Sequence, residues 1–320
     1  MPLPTDSTTT KTMKFVSYQH KGNQDWGLFN SKTQFVYSLK EKSPSLIDYI
    51  NSQKFNSELS ELKKFEDQAN LPASELEFLA CLPKPGSCRD AYAFRQHVAA
   101  ARKNRGVPMI PEYDEFPVFY FTNHRNITGP GPVPVRDCHL EKLDFELEVA
   151  IVIGKECKDV KAENADEYIF GYTIYNDWSA RSVQMKEMKL NMGPMKGKDF
   201  ANSFGAWLVT KEELEEKLIK GPNGDQYDLN MSATINGEKI SNGNTKDMTW
   251  TFAQIIERAS YSCTLAPGDI IGSGTVGTGC YLELNGSKVT NRWLENGDEV
   301  ILEIDGLGSL KNTVLREADV

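Results

Sequence analysis

The stretch LDFELEVAIVIG, residues 143–154, alternates strictly through its first half: Leu143, Phe145, Leu147 and Val149 share one parity, Asp144, Glu146 and Glu148 the other. Successive side chains on a strand point to opposite faces, so a strand here buries its apolar set and lines three carboxylates along one side. Like charges side by side repel unless water or a cation separates them. Ala150, Ile151, Val152 and Ile153 are then apolar on both parities, the pattern of a strand running from a polar region into a core. Two readings of this segment stand together: an edge strand with a solvated acidic face, or the acidic wall of a site.

Downstream, KAENADEYIFGY (161–172) predicts an amphipathic helix ending at Gly171, and YTIYNDWSARSVQ (172–184) a β-prone run stopped by Asn176 and Asp177. An Asp at such a junction commonly just caps the next helix. Arg181 and Gln184, three apart, face the same way on a helical turn. Lys198 lies in KGKDF (196–200), a Gly-flanked loop where most lysines are simply solvated. Upstream, CRDAYAFRQHVAAARKNRG (88–106) favours helix from Ala91 to Ala101, with Asp90 at its start, where a helix N-terminus attracts a carboxylate. His97 alone reads as a structural histidine. FPVFYFTN (116–123) is strand-like.

At the chain's start, residues 1–12 are polar and Thr-rich and are expected to be disordered. MKFVSYQ, WGLFN and TQFVYSL form a small antiparallel unit, followed by two helical segments, PSLIDYINSQKF and SELSELKKFEDQA. Pro83 to Gly86 mark a boundary, giving a small N-terminal α/β module over 13–80 ahead of a domain over 81–320. Nothing in 13–80 carries chemistry; packing or dimer support is its expected role. Towards the C-terminus, DLNMSATINGEKIS (228–241) predicts a hairpin with Asn236-Gly237 at its tip, and TWTFAQIIERASY (249–261) a helix. GSGTVGTG (272–279) lacks the Lys-Ser/Thr of a P-loop, and the YLELNG that soon follows reads as a strand, which excludes a dinucleotide cradle.

A net charge of −9 over 320 residues argues against nonspecific nucleic-acid binding. No run approaches the roughly 20 apolar residues that span a bilayer, and the N-terminus carries no secretory signal pattern. Six scattered cysteines without CxxC spacing fit reduced thiols in a cytoplasmic protein.

Taken together, DFELEVAIVIG, NDWSAR, KGKDF and GDIIGSGTVGTG resemble the fumarylacetoacetate hydrolase family over roughly residues 81–310, in order and in approximate spacing. The resemblance implies a mixed β fold with some α (α+β), a β-sandwich-like roll preceded by a small N-terminal β-rich domain, and a homodimer. It implies a divalent-cation site of Asp90, Glu146, Glu148 and Asp177, Mg²⁺ foremost, with Ca²⁺ or Mn²⁺ as alternatives; four oxygen ligands suit such hard ions. RDAYAFRQH and YLELNG resemble the fumarylacetoacetase branch, which pairs His97 with Glu283 to activate water. By the same resemblance, Arg181, Gln184 and Lys198 are catalytic, and Tyr92, Tyr120 and Thr275 join Arg181 and Gln184 in holding substrate. The implied activity is hydrolysis of a C–C bond in a β-diketo acid such as fumarylacetoacetate, in aromatic amino acid breakdown, with an enolate leaving group. Alternatives are an oxaloacetate-type decarboxylase or tautomerase, an acylpyruvate hydrolase, or a silent dimeric scaffold. The family's further substrate-binding arginine has no clean match; Arg102 and Arg105 are nearest.

Overall fold

The computed structural model describes residues 13–318; the expected disorder of residues 1–12 lies outside them. Its main feature is a 13-stranded mixed sheet whose main path runs, in spatial order, Leu71–Pro72, Phe35–Ser38, Asn23–Asn30, Lys14–His20, Trp207–Thr210, Ile169–Asp177, Leu147–Ile153, Ile270–Gly272, Cys88–Ala91 and Phe119–Phe121, with Asn202–Phe204, Ile127–Thr128 and Glu77–Phe78 off this path. The N-terminal hairpins thus join the rest through one sheet, since Lys14–His20 pairs antiparallel with Trp207–Thr210. A second sheet of five strands, Gly131–Val135, Asn230–Ile235, Glu238–Asn244, Glu299–Ile304 and Gly308–Arg316, packs against the strand Ile169–Asp177. Mixed β with helices at the margins is the architecture the resemblance implied.

The strand Leu147–Ile153 is central and buried along its length. Val149, Ile151 and Ile153 enter one apolar cluster with Ile174 and Tyr172, while Ala150 and Val152 enter the other with Leu208 and Phe204. Apolar residues on both parities are what burial on both faces demands. The turn Asn236-Gly237 has positive φ at both residues, 51° and 83°, as a type I′ hairpin requires.

Several local expectations fail, each for a tertiary reason. The acidic segment is not one strand: Leu143–Asp144 pairs with Ser179–Ala180, and the main strand begins only at Leu147. Of its three carboxylates, Asp144 and Glu146 both reach Arg181, whereas Glu148 accepts the Gly274 N–H. The helix expected to end at Gly171 shrinks to Ala162–Ala165 plus a short 3₁₀ turn, and the strand starts at Ile169. Gly171 sits inside it because a Cβ there would lie 2.5 Å from the Val209 carbonyl oxygen of the neighbouring strand. Asp90 is on the strand Cys88–Ala91, not at a helix start, and the helix runs Arg95–Asn104. Sheet pairing with Ile270–Gly272 and Phe119–Phe121 holds Cys88–Ala91 extended, while the alanine-rich run 99–101 is helical as expected.

YLELNG is a helix, Tyr281–Gly286, not a strand. The Asp144 carboxylate accepts the backbone N–H groups of Tyr281 (2.7 Å) and Leu282 (2.9 Å), capping the helix from 137 residues away. The strand reading was the ground for excluding a dinucleotide cradle in 272–279, and the short helix removes it; the missing Lys-Ser/Thr excludes only a P-loop, while the first N–H groups of this helix are already taken by Asp144. None of the six cysteines is in a disulfide. Among the described residues no helix is long and apolar enough to cross a membrane.

Candidate active site

Strand ends deliver the acidic groups. Asp90 leaves the strand Cys88–Ala91 where Gly272 pairs with it; a Cβ on Gly272 would come within 2.5 Å of Asp90 Oδ1. Glu148 lies at the start of the central strand, and Asp177 ends the strand beside it. One carboxylate oxygen from each of Asp90, Glu148 and Asp177 lies within 4.8 Å of the other two, and all three side chains are buried. The Gly274 N–H donates to both Asp90 Oδ1 (3.1 Å) and Glu148 Oε2 (2.9 Å). Tyr120 donates its hydroxyl hydrogen to Asp177 Oδ2 at 2.5 Å, and Lys198 Nζ reaches the same oxygen at 2.6 Å. Asp177 Oδ1 is buried with no hydrogen-bond partner.

Burial and the neighbouring Asp177 carboxylate push Asp90 up to about 7. Burial and Asp90 hold Glu148 well above the usual carboxylate range, and burial raises Asp177 although Lys198 opposes it. Three crowded carboxylates with raised proton affinity and one orphaned oxygen are the features a divalent cation would relieve, and an all-oxygen donor set suits a hard ion. The residues present therefore fit such an ion.

Glu146, expected as a fourth ligand, stands next to this cluster with other partners. Its Oε1 accepts from Arg181 Nη2 at 2.7 Å, and its Oε2 from Lys198 Nζ. Burial alone would raise Glu146, but Lys198 and Arg181 together hold it far below the usual range. Arg181 is buried and also binds Asp144 Oδ2 through Nε at 2.9 Å, while its Nη1 donates to Gln184 Oε1 at 3.0 Å. Asp144, Arg181, Glu146, Lys198 and Asp177 thus alternate in sign along one buried chain of ion pairs.

His97, in the first turn of the helix Arg95–Asn104, meets Glu283 on the helix Tyr281–Gly286: Nδ1 and Oε2 are 2.9 Å apart. The Thr278 N–H fixes the other carboxylate oxygen at 2.8 Å. The expected pair is assembled, though from a helix rather than a strand. Tyr92 meets the His97 ring edge-on at 5.8 Å and lines a pocket with Val98, Arg102, Arg105 and Tyr113. Thr275 donates to Glu148 Oε1 at 3.5 Å, so its hydroxyl supports the carboxylate cluster.

Two roles escaped the sequence reading. Asp144 is the cap and Arg181 partner described above. Glu187 accepts the backbone N–H groups of Lys196 (2.9 Å) and Gly197 (3.1 Å), closing the excursion 188–195 and bringing the Lys198 loop onto the Arg181 helix. Gly197 has no room for a Cβ, which would fall 2.8 Å from Gln184 N. A glutamate ending a short helix in a lysine- and methionine-rich stretch carries no such signal.

The Asp90 shift has a measurable consequence for the ion-free protein. Folding raises its value from 3.8 to about 7, so across that window the folded chain holds a proton the unfolded chain has released. Stability from this group is fully present near the lower value and is lost as pH rises through the upper. Thermal unfolding of chelated protein is expected to show a Tm falling from mildly acid to neutral pH, with a saturating divalent cation flattening the decline. A chelated Tm that rises over this range would contradict the geometry.

The family model "Fumarylacetoacetate (FAA) hydrolase C-terminal" matches residues 87–315. A fumarylacetoacetase from Bos taurus is 30% identical over 275 residues, 68% of this chain and 65% of that protein. The fumarylacetoacetate hydrolase from Exiguobacterium antarcticum superposes with a TM-score of 0.73 at 25% identity, covering 96% of this chain and all (100%) of its own. A probable 2-hydroxyhepta-2,4-diene-1,7-dioate isomerase from Mycobacterium abscessus shares the fold, with a TM-score of 0.72 at 24% identity over 96% of this chain and 100% of that one.

Proposed function

The chain belongs to the fumarylacetoacetate hydrolase family, and from that premise we propose that it hydrolyses a C–C bond in a β-diketo acid, fumarylacetoacetate or a related acylpyruvate. The observation that carries this reading is the His97–Glu283 pair at 2.9 Å, with His97 within electrostatic reach of Glu146. Simple enolisation or decarboxylation has no use for a buried water-activating pair.

Asp90, Glu148 and Asp177 would hold a divalent cation, Mg²⁺ or Mn²⁺ by donor type, which supplies Lewis-acid polarisation of the diketo oxygens when bound. Glu283, fixed by the Thr278 N–H, orients His97 through Nδ1 and leaves Nε2 to take a proton from water. The hydroxide adds to the carbonyl remote from the substrate carboxylate. The C–C bond to the adjacent methylene then breaks, its electron pair leaving as an enolate that is protonated to the ketone. The other product is a carboxylate. Arg181, Gln184 and Lys198 place positive charge and amide dipole where oxyanion charge develops. Tyr92 and Tyr120 border the acyl side and the carboxylate cluster respectively.

The test follows the loss of diketone absorbance with fumarylacetoacetate and short acylpyruvates. Turnover that needs Mg²⁺ or Mn²⁺ and stops with chelator is the expected result; decarboxylation or tautomerisation alone would overturn hydrolysis.

Glu187 fastens the loop carrying Lys198, so Glu187→Ala is expected to lower kcat/KM by about 10²-fold, the size of effect that misplacing a catalytic group by about 1 Å produces. Glu187→Gln, which retains a carbonyl acceptor, recovers part of it, with Tm little changed in both. Equal loss in the two variants would argue for charge rather than positioning.

A further inference from the structure

We propose that His97, Cys280 and Glu283 form a second cation site, for a borderline-soft divalent ion such as Zn²⁺, and that an ion there disables the His97–Glu283 pair. One imidazole nitrogen, the Cys280 sulfur and one Glu283 carboxylate oxygen lie mutually within 4.8 Å, and all three residues are buried. The donor set decides which ion. The Asp90, Glu148 and Asp177 cluster offers only carboxylate oxygen and suits hard ions, whereas thiolate and imidazole select zinc and its neighbours in the transition series. Three protein ligands with a fourth position open is the form of a catalytic zinc site.

The geometry is close to that form. Zinc bonds of about 2.0–2.3 Å at tetrahedral angles set ligand atoms about 3.3–3.8 Å apart. The His97 Nδ1 to Glu283 Oε2 contact, now 2.9 Å, need only open slightly to admit an ion. Cys280 directly precedes the helix that carries Glu283, so two ligands come from one turn of chain and the third from the facing helix Arg95–Asn104. Thiolate and carboxylate together balance the ion's charge, and the thiol proton passes to solvent without any redox step. Tyr92, whose ring meets His97 edge-on at 5.8 Å, lines the neighbouring pocket with Val98. The inhibitory consequence rests on the function proposed above; the binding itself does not.

Co²⁺ titrated into Mg²⁺-saturated protein reports the site without substrate. A near-ultraviolet thiolate-to-cobalt absorption saturating at one ion per chain is expected. It should vanish in Cys280→Ser, weaken in His97→Asn, and persist in Cys88→Ser and Glu148→Gln. In the activity assay, added Zn²⁺ should suppress Mg²⁺-driven turnover. Cys280→Ser should need roughly tenfold more Zn²⁺ for the same fractional loss relative to its own uninhibited rate, the order of effect expected for a lost soft ligand. No absorption in the unaltered protein, or absorption surviving in Cys280→Ser, overturns the site. Absorption without inhibition overturns the disabling role. Absence of diketo acid turnover would leave the absorption test intact, so the two proposals fail separately.

Discussion

His97→Ala is expected to lower hydrolysis of the diketo acid by about 10²–10⁴-fold, the range typical of removing a positioned general base. The loss should fall on the chemical step. Mg²⁺ binding, read by calorimetry, should be unchanged, because the Asp90, Glu148 and Asp177 cluster does not include His97. Glu283→Gln should lose less than His97→Ala, since an amide still accepts the Thr278 N–H and orients the imidazole but no longer stabilises its charged form. Any decarboxylation of oxaloacetate-type acids should survive both substitutions. Hydrolysis within about tenfold of the unaltered enzyme in His97→Ala would mean that water is activated elsewhere.

The largest effect on stability is expected from Arg181→Met. Arg181 is 3% exposed and binds Asp144 at 2.8 Å and Glu146 at 2.7 Å, both themselves buried. Removing one partner of a buried ion pair leaves charge uncompensated and costs about 3–5 kcal/mol. Arg181→Lys should rescue only partly, because a single ammonium cannot reproduce the fork that spans two carboxylates and Gln184. The pH dependence follows from Glu146, which Lys198 and Arg181, overcoming burial, hold far below its ordinary 4.5. Its contribution is present above that ordinary value and is lost as pH falls through the lower folded value. The deficit of Arg181→Met should therefore be greatest at neutral pH and narrow in acid, where a Glu146 freed of Arg181 can take up a proton. Denaturant midpoints measured from about pH 8 down to about pH 3 would show it; a deficit under about 1 kcal/mol at neutral pH would mean the network is solvated.

Much of the site was legible because its chemistry needs particular residue types near strand ends. Alternating acids in 143–148 stood out by composition alone, whereas Asp177 read as a helix cap and Lys198 as a solvated lysine until resemblance to a family gave them roles. His97 and Glu283, 186 residues apart, became a pair only through resemblance to a family, and the structure then set them 2.9 Å from each other. The Asp144 cap, the Glu187 clasp and the engagement of Glu146 by Lys198 and Arg181 had no local signature. Each joins groups whose sequence neighbours give no reason for the contact.

By itself the sequence determined which segments are buried. Side-chain polarity and strand periodicity are local properties, and burial of apolar surface follows from them directly. Only the tertiary structure decided the conformation of YLELNG, because alternation suited a strand until a distant carboxylate satisfied the first backbone N–H groups of a helix. It also decided how the acids divide. Asp90, Glu148 and Asp177 crowd together with raised proton affinity, while Glu146 is held ionised by two cations. The charge state of a buried carboxylate depends on which groups fold against it, and that is set by the packing of strands far apart in the chain.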